Sequence, residues 1–283
     1  MGNFILSAFA DEIGDDLSLQ IRVLKENQID FVEFRSAYGR NVTSFSLEET
    51  AAIGKAFRSD GIRVSAIGSP LGKISITDDF SAHMKMFRHT LEIAQEMEAP
   101  YIRLFSFYPP EGESITNYRN LVMDCLATFV KEASGTGVTL LHENEKDVYG
   151  DIPSRCLDIM QTINSPILRA TYDFSNFVQC GVDNDEAFAL LKPYVEYIHL
   201  KDSLYTGEKA ERDLGRQVVG NAHRPVGMGD GKVRKILSSL WKDGFEGFAS
   251  IEPHLGEEYG AEGIQRFTVA ARAAQALLNE ISK

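Results

Sequence analysis

Eight short apolar runs alternate with longer amphipathic stretches along this 283-residue chain, composition does not break anywhere, and no GxGxxG motif follows the first run. Together these features predict an α/β fold, a single (β/α)8 TIM barrel in which residues 1–283 form one domain. A doubly wound open sheet is the competing architecture, but the missing glycine motif removes its usual dinucleotide signature.

The runs are NFILSAFA, IDFVEFR, IRVSAIG, APYIRLFSF, VTLLHEN, ILRATYDF, VEYIHLK and GFASIEP. Each is short and rich in Val, Ile, Leu, Tyr or Phe, and so reads as a buried strand of a parallel sheet. Between them lie helix-like stretches: DLSLQIRVLKENQ, SLEETAAIGKAFRSDG, DFSAHMKMFRHTLEIAQEME, YRNLVMDCLATFVKEASGTG, PSRCLDIMQTI, DEAFALLKPY, GKVRKILSSLWKDG and EGIQRFTVAARAAQALLNEI. Gly61, Gly137 and Gly244 fall just past helical stretches, where a residue free to take positive φ is favoured. Ser46 with Glu49 three residues on has the spacing of a capping box. One connection is irregular. Asp202 to Gly231, between the seventh strand and its helix, is long, polar and glycine-bearing. Loops of that length in a compact domain are usually functional, so it is expected to fold over the barrel mouth.

A formal charge of -12 argues against a nucleic-acid partner, which normally meets a basic face. Cys125, Cys156 and Cys180 are an odd, scattered set without CxxC spacing, which points to reduced thiols and the cytoplasm. The N-terminal MGNFILSAFADEIGDD has no basic n-region, and its apolar stretch runs into acids. It is expected to be neither a signal peptide nor a membrane span. Gly2 makes a poor myristoylation site because Leu6 stands where Ser or Thr is preferred.

Four of the runs end on residue types that bind divalent metals: Glu143, Asp173, His199 and Glu252. Residues two apart on a strand share a face. Glu143 with Glu145, Thr171 with Asp173, His199 with Lys201, and Glu252 with His254 are therefore expected at the mouth, where barrels of this kind carry their chemistry. Buried carboxylates are costly unless something pairs them. Two Glu, one Asp and one His suit one divalent ion: Mn²⁺, Mg²⁺, Co²⁺ or Zn²⁺. Singly, each residue has an ordinary reading as a helix cap, an ion-pair partner or a core histidine. Four in four successive units favour the metal.

Around this set, Lys201 is a candidate for stabilising developing negative charge, or for pairing with Asp202 or a neighbouring acid. Glu33 and Arg103 either bind substrate or form a buried ion pair. His223 and Arg224 either close over substrate or belong to a solvated loop. His254 is a candidate substrate contact or ligand support. His142 points away from Glu143 and reads as structural, and His83 and His89 fall within a helix and are expected at the surface. GMGDG is only a weak phosphate signal, and there is no P-loop.

The segments LLHENEKDVYGD, YDFSNF, YIHLKD, PVGMGDGKV and SIEPHL, with FVEFR and YIRLF in the first half, resemble the sugar phosphate isomerase/epimerase group of the xylose isomerase-like TIM barrel superfamily. The AP endonucleases are its distant relatives. The resemblance implies that Glu143, Asp173, His199 and Glu252 coordinate one divalent cation. It also casts Glu143 and Glu252 as a proton-transfer pair that isomerises or epimerises a monosaccharide, keto-sugar or related polyol. Two departures stand out. Glu143-Asn144-Glu145 replaces a frequent Glu-x-His, and Asp173-Phe174-Ser175-Asn176 replaces a frequent Asp-x-x-His, which argues against a polynuclear site. An AP endonuclease would need more than six histidines and a basic face. An inosose-type dehydratase and a non-catalytic sugar- or metal-binding protein are the alternatives. A homodimer or homotetramer is expected, since acidic barrels of this kind often pair.

Overall fold

The computed structural model describes residues 1–205 and 222–283. Its principal strands are β1 (Asn3–Ala8), β2 (Phe31–Phe34), β3 (Arg63–Gly68), β4 (Tyr101–Leu104), β5 (Thr139–Glu143), β6 (Leu168–Asp173), β7 (Val195–Leu200) and β8 (Glu246–Ile251). They hydrogen-bond in the order β1-β8-β7-β6-β5-β4-β3-β2, with parallel registers throughout. β1 and β2 pack together without a hydrogen-bonded ladder, so the sheet curls into a nearly closed α/β barrel, as the sequence predicts.

Around the strands run α1 (Leu17–Glu26), α2 (Leu47–Ser59), α3 (Phe80–Glu96), α4 (Arg119–Ala133), α5 (Pro153–Ile163), α6 (Phe174–Gln179), α7 (Asn184–Leu191), α8 (Val233–Lys242) and α9 (Gly263–Ile281). The Ser46–Glu49 capping box opens α2. Gly61, Gly137 and Gly244 all have φ near +80°, the conformation that ends a helix at little cost to glycine. The short α6 is additional to the sequence reading. Two helices, not one, separate β6 from β7.

Apolar packing is divided between two regions. The larger joins strands to helices through residues such as Leu24, Phe57, Phe87, Phe129 and Phe267. The smaller fills the barrel itself, with Ala66, Leu141 and Tyr197 packed against Tyr101 and Phe248. A polar layer follows: Ser65 Oγ lies 2.6 Å from Ser7 Oγ and 2.8 Å from the Tyr197 hydroxyl. These buried hydroxyls satisfy one another, which permits them inside the barrel. His199, two residues beyond Tyr197 on the same strand face, begins the charged layer above.

His83 corrects the sequence reading. It lies on the inner side of α3, 5% exposed, and its Nε2 accepts a 2.8 Å bond from the Gly72 amide. Helix membership alone did not reveal which face it occupies. His89 is half-buried, with its Nε2 2.8 Å from the Phe45 carbonyl oxygen.

Candidate metal centre

Glu143 and Asp173 end β5 and β6, His199 is the penultimate residue of β7, and Glu252 follows β8. Their different depths follow from the register. Asp173 lies opposite His199, and His199 opposite Ser250, so the next inward position on β8 is Glu252. One ligand atom from each of the four lies within 4.8 Å of the others, and all four residues are buried. Among the described residues this is the one such group of His, Cys, Asp and Glu side chains.

Two asparagines fix the carboxylates. The Asn144 side chain accepts from the Asp173 amide and donates to the Asp173 carbonyl oxygen, both at 2.9 Å, tying the end of β5 to the end of β6. Asn176 Nδ2 donates to Glu143 Oε1 at 3.2 Å and to the Asn144 carbonyl oxygen at 2.9 Å. Asp173 Oδ1 caps α6 by accepting from the Asn176 amide at 2.8 Å. Its other oxygen, Oδ2, has no hydrogen bond of acceptable geometry but sits 2.8 Å from the Lys201 ammonium.

His199 is fully buried between acids. Its Nδ1 is 3.1 Å from Glu143 and 3.8 Å from both Asp173 and Glu252, while Nε2 is 3.1 Å from Glu33. Glu33 lies behind the histidine, sealed from solvent, and a β2 irregularity between Val32 and Glu33 accompanies its placement. Such bulges re-aim side chains beside functional sites. Arg103 Nε is 3.2 Å from Glu143 and 3.8 Å from Glu33, with its guanidinium over the Phe105 ring. Both readings of the Glu33–Arg103 pair must therefore accommodate burial: the two side chains face the ligand set rather than open solvent.

Glu252 is held by three cations. Arg35 Nη1 reaches it at 2.9 Å, Lys201 at 2.9 Å and His254 Nε2 at 3.2 Å. Lys201 thus pairs with Asp173 and Glu252, while Asp202 accepts from the amides of Gly227, Gly229 and Gly231 at 2.9, 2.9 and 3.0 Å. A Cβ on Gly229 or Gly231 would meet Asp202 Oδ1 at 2.4 or 2.7 Å. The glycine-rich GMGDG segment therefore wraps an internal carboxylate, and the amides a phosphate would require are already engaged.

The charges are tuned by this packing. Burial alone would raise the Glu143 carboxyl, but His199 and Arg103 bring it down to about 2. Burial is likewise overcome at Glu252, which Lys201 and His254 hold well below the usual range. Burial would lower His199, yet Glu33 and Glu143 hold it well above its ordinary value. For Asp173 burial prevails and raises the carboxyl despite Lys201. His254, against Glu12 at 2.9 Å, is lifted to about 9 by Glu12 and Glu252 in opposition to burial. The oxygen-rich donors, their mutual closeness, the Asp173 oxygen without a hydrogen bond and the inward Nδ1 together fit one divalent cation.

A sequence model of xylose isomerase-like TIM barrels matches residues 21–274. The chain belongs to that family. No curated protein matches the sequence significantly. Solved structures of similar fold include the IOLI protein with a bound zinc atom, at 16% identity and a TM-score of 0.80, covering 98% of this chain and 99% of that one. The probable 3-DHS dehydratase AsbF of Bacillus anthracis has 16% identity and a TM-score of 0.74, covering 97% and 99%. A D-tagatose 3-epimerase-like protein has 16% identity and a TM-score of 0.72, covering 98% and 100%. At these identities the likeness concerns the fold.

Other predicted positions spread around the mouth of this xylose isomerase-like barrel. His223 and Arg224 form a short antiparallel pairing with Asp202 and Ser203. The His223 ring lies 5.4 Å from that of His254, and Arg224 is 3.8 Å from Glu258. The expected cover over the mouth falls mostly on residues 206–221, outside the described residues. His142 faces away, with Nε2 3.0 Å from Ser106 Oγ; a Cβ on Gly150 would strike its ring at 2.4 Å, which accounts for the glycine of the YGD segment. Sequence reasoning missed Arg35, Glu12, Asn144 and Asn176 as supports. Arg35 was visible as the cation ending FVEFR; Asn176 stands where the resemblance marks a departure, and Asn144 lies beside another, Glu145.

Proposed function

We propose that this chain is a divalent-metal-dependent isomerase or epimerase, moving a proton beside the carbonyl of a monosaccharide, keto-sugar or related polyol. The observation that carries the reading is the convergence of Glu143 and Glu252 with Asp173 and His199, ligand atoms within 4.8 Å, at the strand ends where barrels of this type do chemistry. Mn²⁺, Mg²⁺, Co²⁺ and Zn²⁺ all accept such donors. When bound, the cation supplies Lewis acidity that polarises a carbonyl and acidifies the adjacent C–H.

The protein's own residues do the rest. Glu33 turns His199 so that Nδ1 faces the carboxylates, and Asn144 and Asn176 lock Asp173 and Glu143. Glu143 and Glu252 are the two bases, one taking the proton and the other returning it. Both start ionised, because the flanking cations favour their charged forms. Those same cations weaken them as bases. Lys201, 2.9 Å from Glu252, resolves the conflict by shifting its charge towards the developing oxyanion of the substrate, which frees Glu252 to accept a proton.

One feature favours elimination instead. His254, raised to about 9 and 3.2 Å from Glu252, is an acid beside a base and can protonate a departing hydroxyl. Incubating the metal-loaded protein with a sugar panel in deuterated water separates the readings. Deuterium at the carbon beside the carbonyl supports isomerisation or epimerisation, and loss of one water by mass supports a dehydratase. Glu143→Gln and Glu252→Gln should each lower turnover by on the order of 10²–10⁴ while weak metal binding survives. Full activity in both would overturn the two-base mechanism.

A further inference from the structure

We propose that the barrel mouth contains a subsite for an anionic group of the substrate, a carboxylate or a phosphate, centred on the Lys146 ammonium. This rests on the sugar-isomerase reading of the metal centre and adds the charge class of the sugar.

Most cations at the mouth are matched by acids. Arg35 pairs with Asp11, Glu12 and Glu252, Lys73 with Glu145, Arg103 with Glu143, and Lys201 with Asp173 and Glu252. Lys146, just beyond β5, differs. It is 7% exposed, and its ammonium donates to a neutral amide oxygen, Gln179 Oε1. Neighbouring Glu145 is engaged instead by Lys73 at 2.8 Å. Among the described residues no carboxylate forms an ion pair with Lys146. Burial disfavours its charge, and Glu145 and Asp147 offset this only through space, without direct contact, so the ammonium is under-compensated and two of its three donors remain for a ligand.

Its surroundings lead to the metal centre. Gln179 Nε2 donates to Ser175 Oγ at 2.8 Å, and Ser175 donates to Ser203 Oγ at 2.9 Å. Ser175 Oγ also lies 3.5 Å from His223 Nδ1. The His223 ring faces that of His254, which reaches Glu252. An arc of polar side chains thus connects Lys146 to a candidate metal ligand. Burial chiefly, and then His254, Lys201 and Lys146 against the opposing Glu252, lower His223 to about 3 and keep it uncharged. The glycine-rich segment cannot serve as the anion site, since Asp202 occupies its amides.

The test uses the full chain loaded with Mn²⁺ and calorimetric titration with matched probes. Ketohexoses are compared with their 6-phosphates, and aldohexoses with their uronic acids. The expected result is about tenfold tighter binding of one anionic series, an advantage that added salt erodes. The two series identify whether phosphate or carboxylate is the natural group. Lys146→Met should reduce the advantage to less than about twofold while Mn²⁺ affinity and neutral-sugar binding stay unchanged; Lys146→Gln serves if the Met variant folds poorly, and Lys146→Arg should retain the preference. Equal binding of neutral and anionic partners, with deuterium exchange into the neutral sugar intact, overturns the subsite and leaves the proposed function standing. An anionic advantage that survives both Lys146→Met and Lys146→Gln overturns the assignment to Lys146. Failure of every sugar to bind or exchange, with Mn²⁺ bound, overturns both readings.

Discussion

Glu33→Gln isolates the support behind His199 from the ligands themselves. The Glu33 oxygens lie 3.1 and 3.3 Å from Nε2, and the residue is fully buried. Glutamine keeps the shape and an oxygen acceptor but removes the negative charge that makes the imidazole a stronger donor to a cation at Nδ1. A divalent cation held at Nδ1 would feel that charge from roughly 7 Å, where an effective dielectric of about 20 gives an attraction of about 5 kcal/mol. Losses of roughly 10–100-fold in metal affinity are typical when such outer partners are changed, or about 1.4–2.7 kcal/mol; the measured loss should fall in this lower range, because glutamine keeps an acceptor for His199 and Arg103, 3.8 Å from Glu33, already offsets part of its charge. Competition against a chromophoric chelator with Zn²⁺ or Co²⁺ measures the change, and a melt of the loaded variant checks the fold. An affinity within twofold of the parent would refute the idea that Glu33 acts through His199. A loss as complete as that of His199→Ala would show that it contributes more than orientation and charge.

Two further outcomes follow from the packing. Asp202→Ala removes the acceptor from the amides of Gly227, Gly229 and Gly231; the buried Gly231 amide alone, left unpaired, costs about 1–3 kcal/mol, so the segment before α8 should become susceptible to limited proteolysis, and unchanged cleavage would contradict that. His83 is kept neutral in the folded protein, where burial lowers its value against the opposing influence of Asp78 and Nε2 accepts from Gly72. The unfolded chain therefore binds the proton more readily, so the stability His83 contributes is present above its ordinary value near 6.5 and is lost as pH falls through the lower folded value. Melting temperatures of the parent and His83→Gln should differ progressively between pH 7 and 5, and parallel curves would refute the linkage.

What could be read from sequence divides along physical lines. The eight strands were legible because a parallel sheet covered on both faces demands continuous apolar runs, and the four candidate ligands because each interrupts such a run with a charge at its end. α6 was missed because the six residues after Asp173 carry too short an apolar pattern, and the cap that Asp173 Oδ1 places on the Asn176 amide was not read from a residue already assigned to metal binding. The side of α3 on which His83 lies and the pairing of Lys201 with Asp173 depend on directions that spacing alone leaves open. GMGDG shows a similar limit. Its glycines were only a weak phosphate signal, and the group their amides hold is the side chain of Asp202. Arg35 escaped notice because its partners, Asp11, Glu12 and Glu252, are scattered over most of the chain length.

That scatter has a structural reason. β1 and β2 form the seam of the barrel that lacks a hydrogen-bonded ladder. Arg35, immediately after β2, reaches Asp11 at 2.7 Å and Glu12 at 3.0 Å, both just after β1, and Glu252 at 2.9 Å, just after β8. Its planar guanidinium directs several donors at once, so one side chain spans the ends of three neighbouring strands. The backbone leaves the seam open, and the side chains close it at the mouth. Losing one partner from so enclosed a group strands the remaining charges, which typically costs several kcal/mol. The candidate base Glu252 is consequently oriented by the same interaction that closes the barrel. The first half of the chain supplies Glu12, Glu33, Arg35 and Arg103 around ligands that come from the second half. Their opposite charges make the geometry of the candidate metal centre depend on correct closure of the whole sheet.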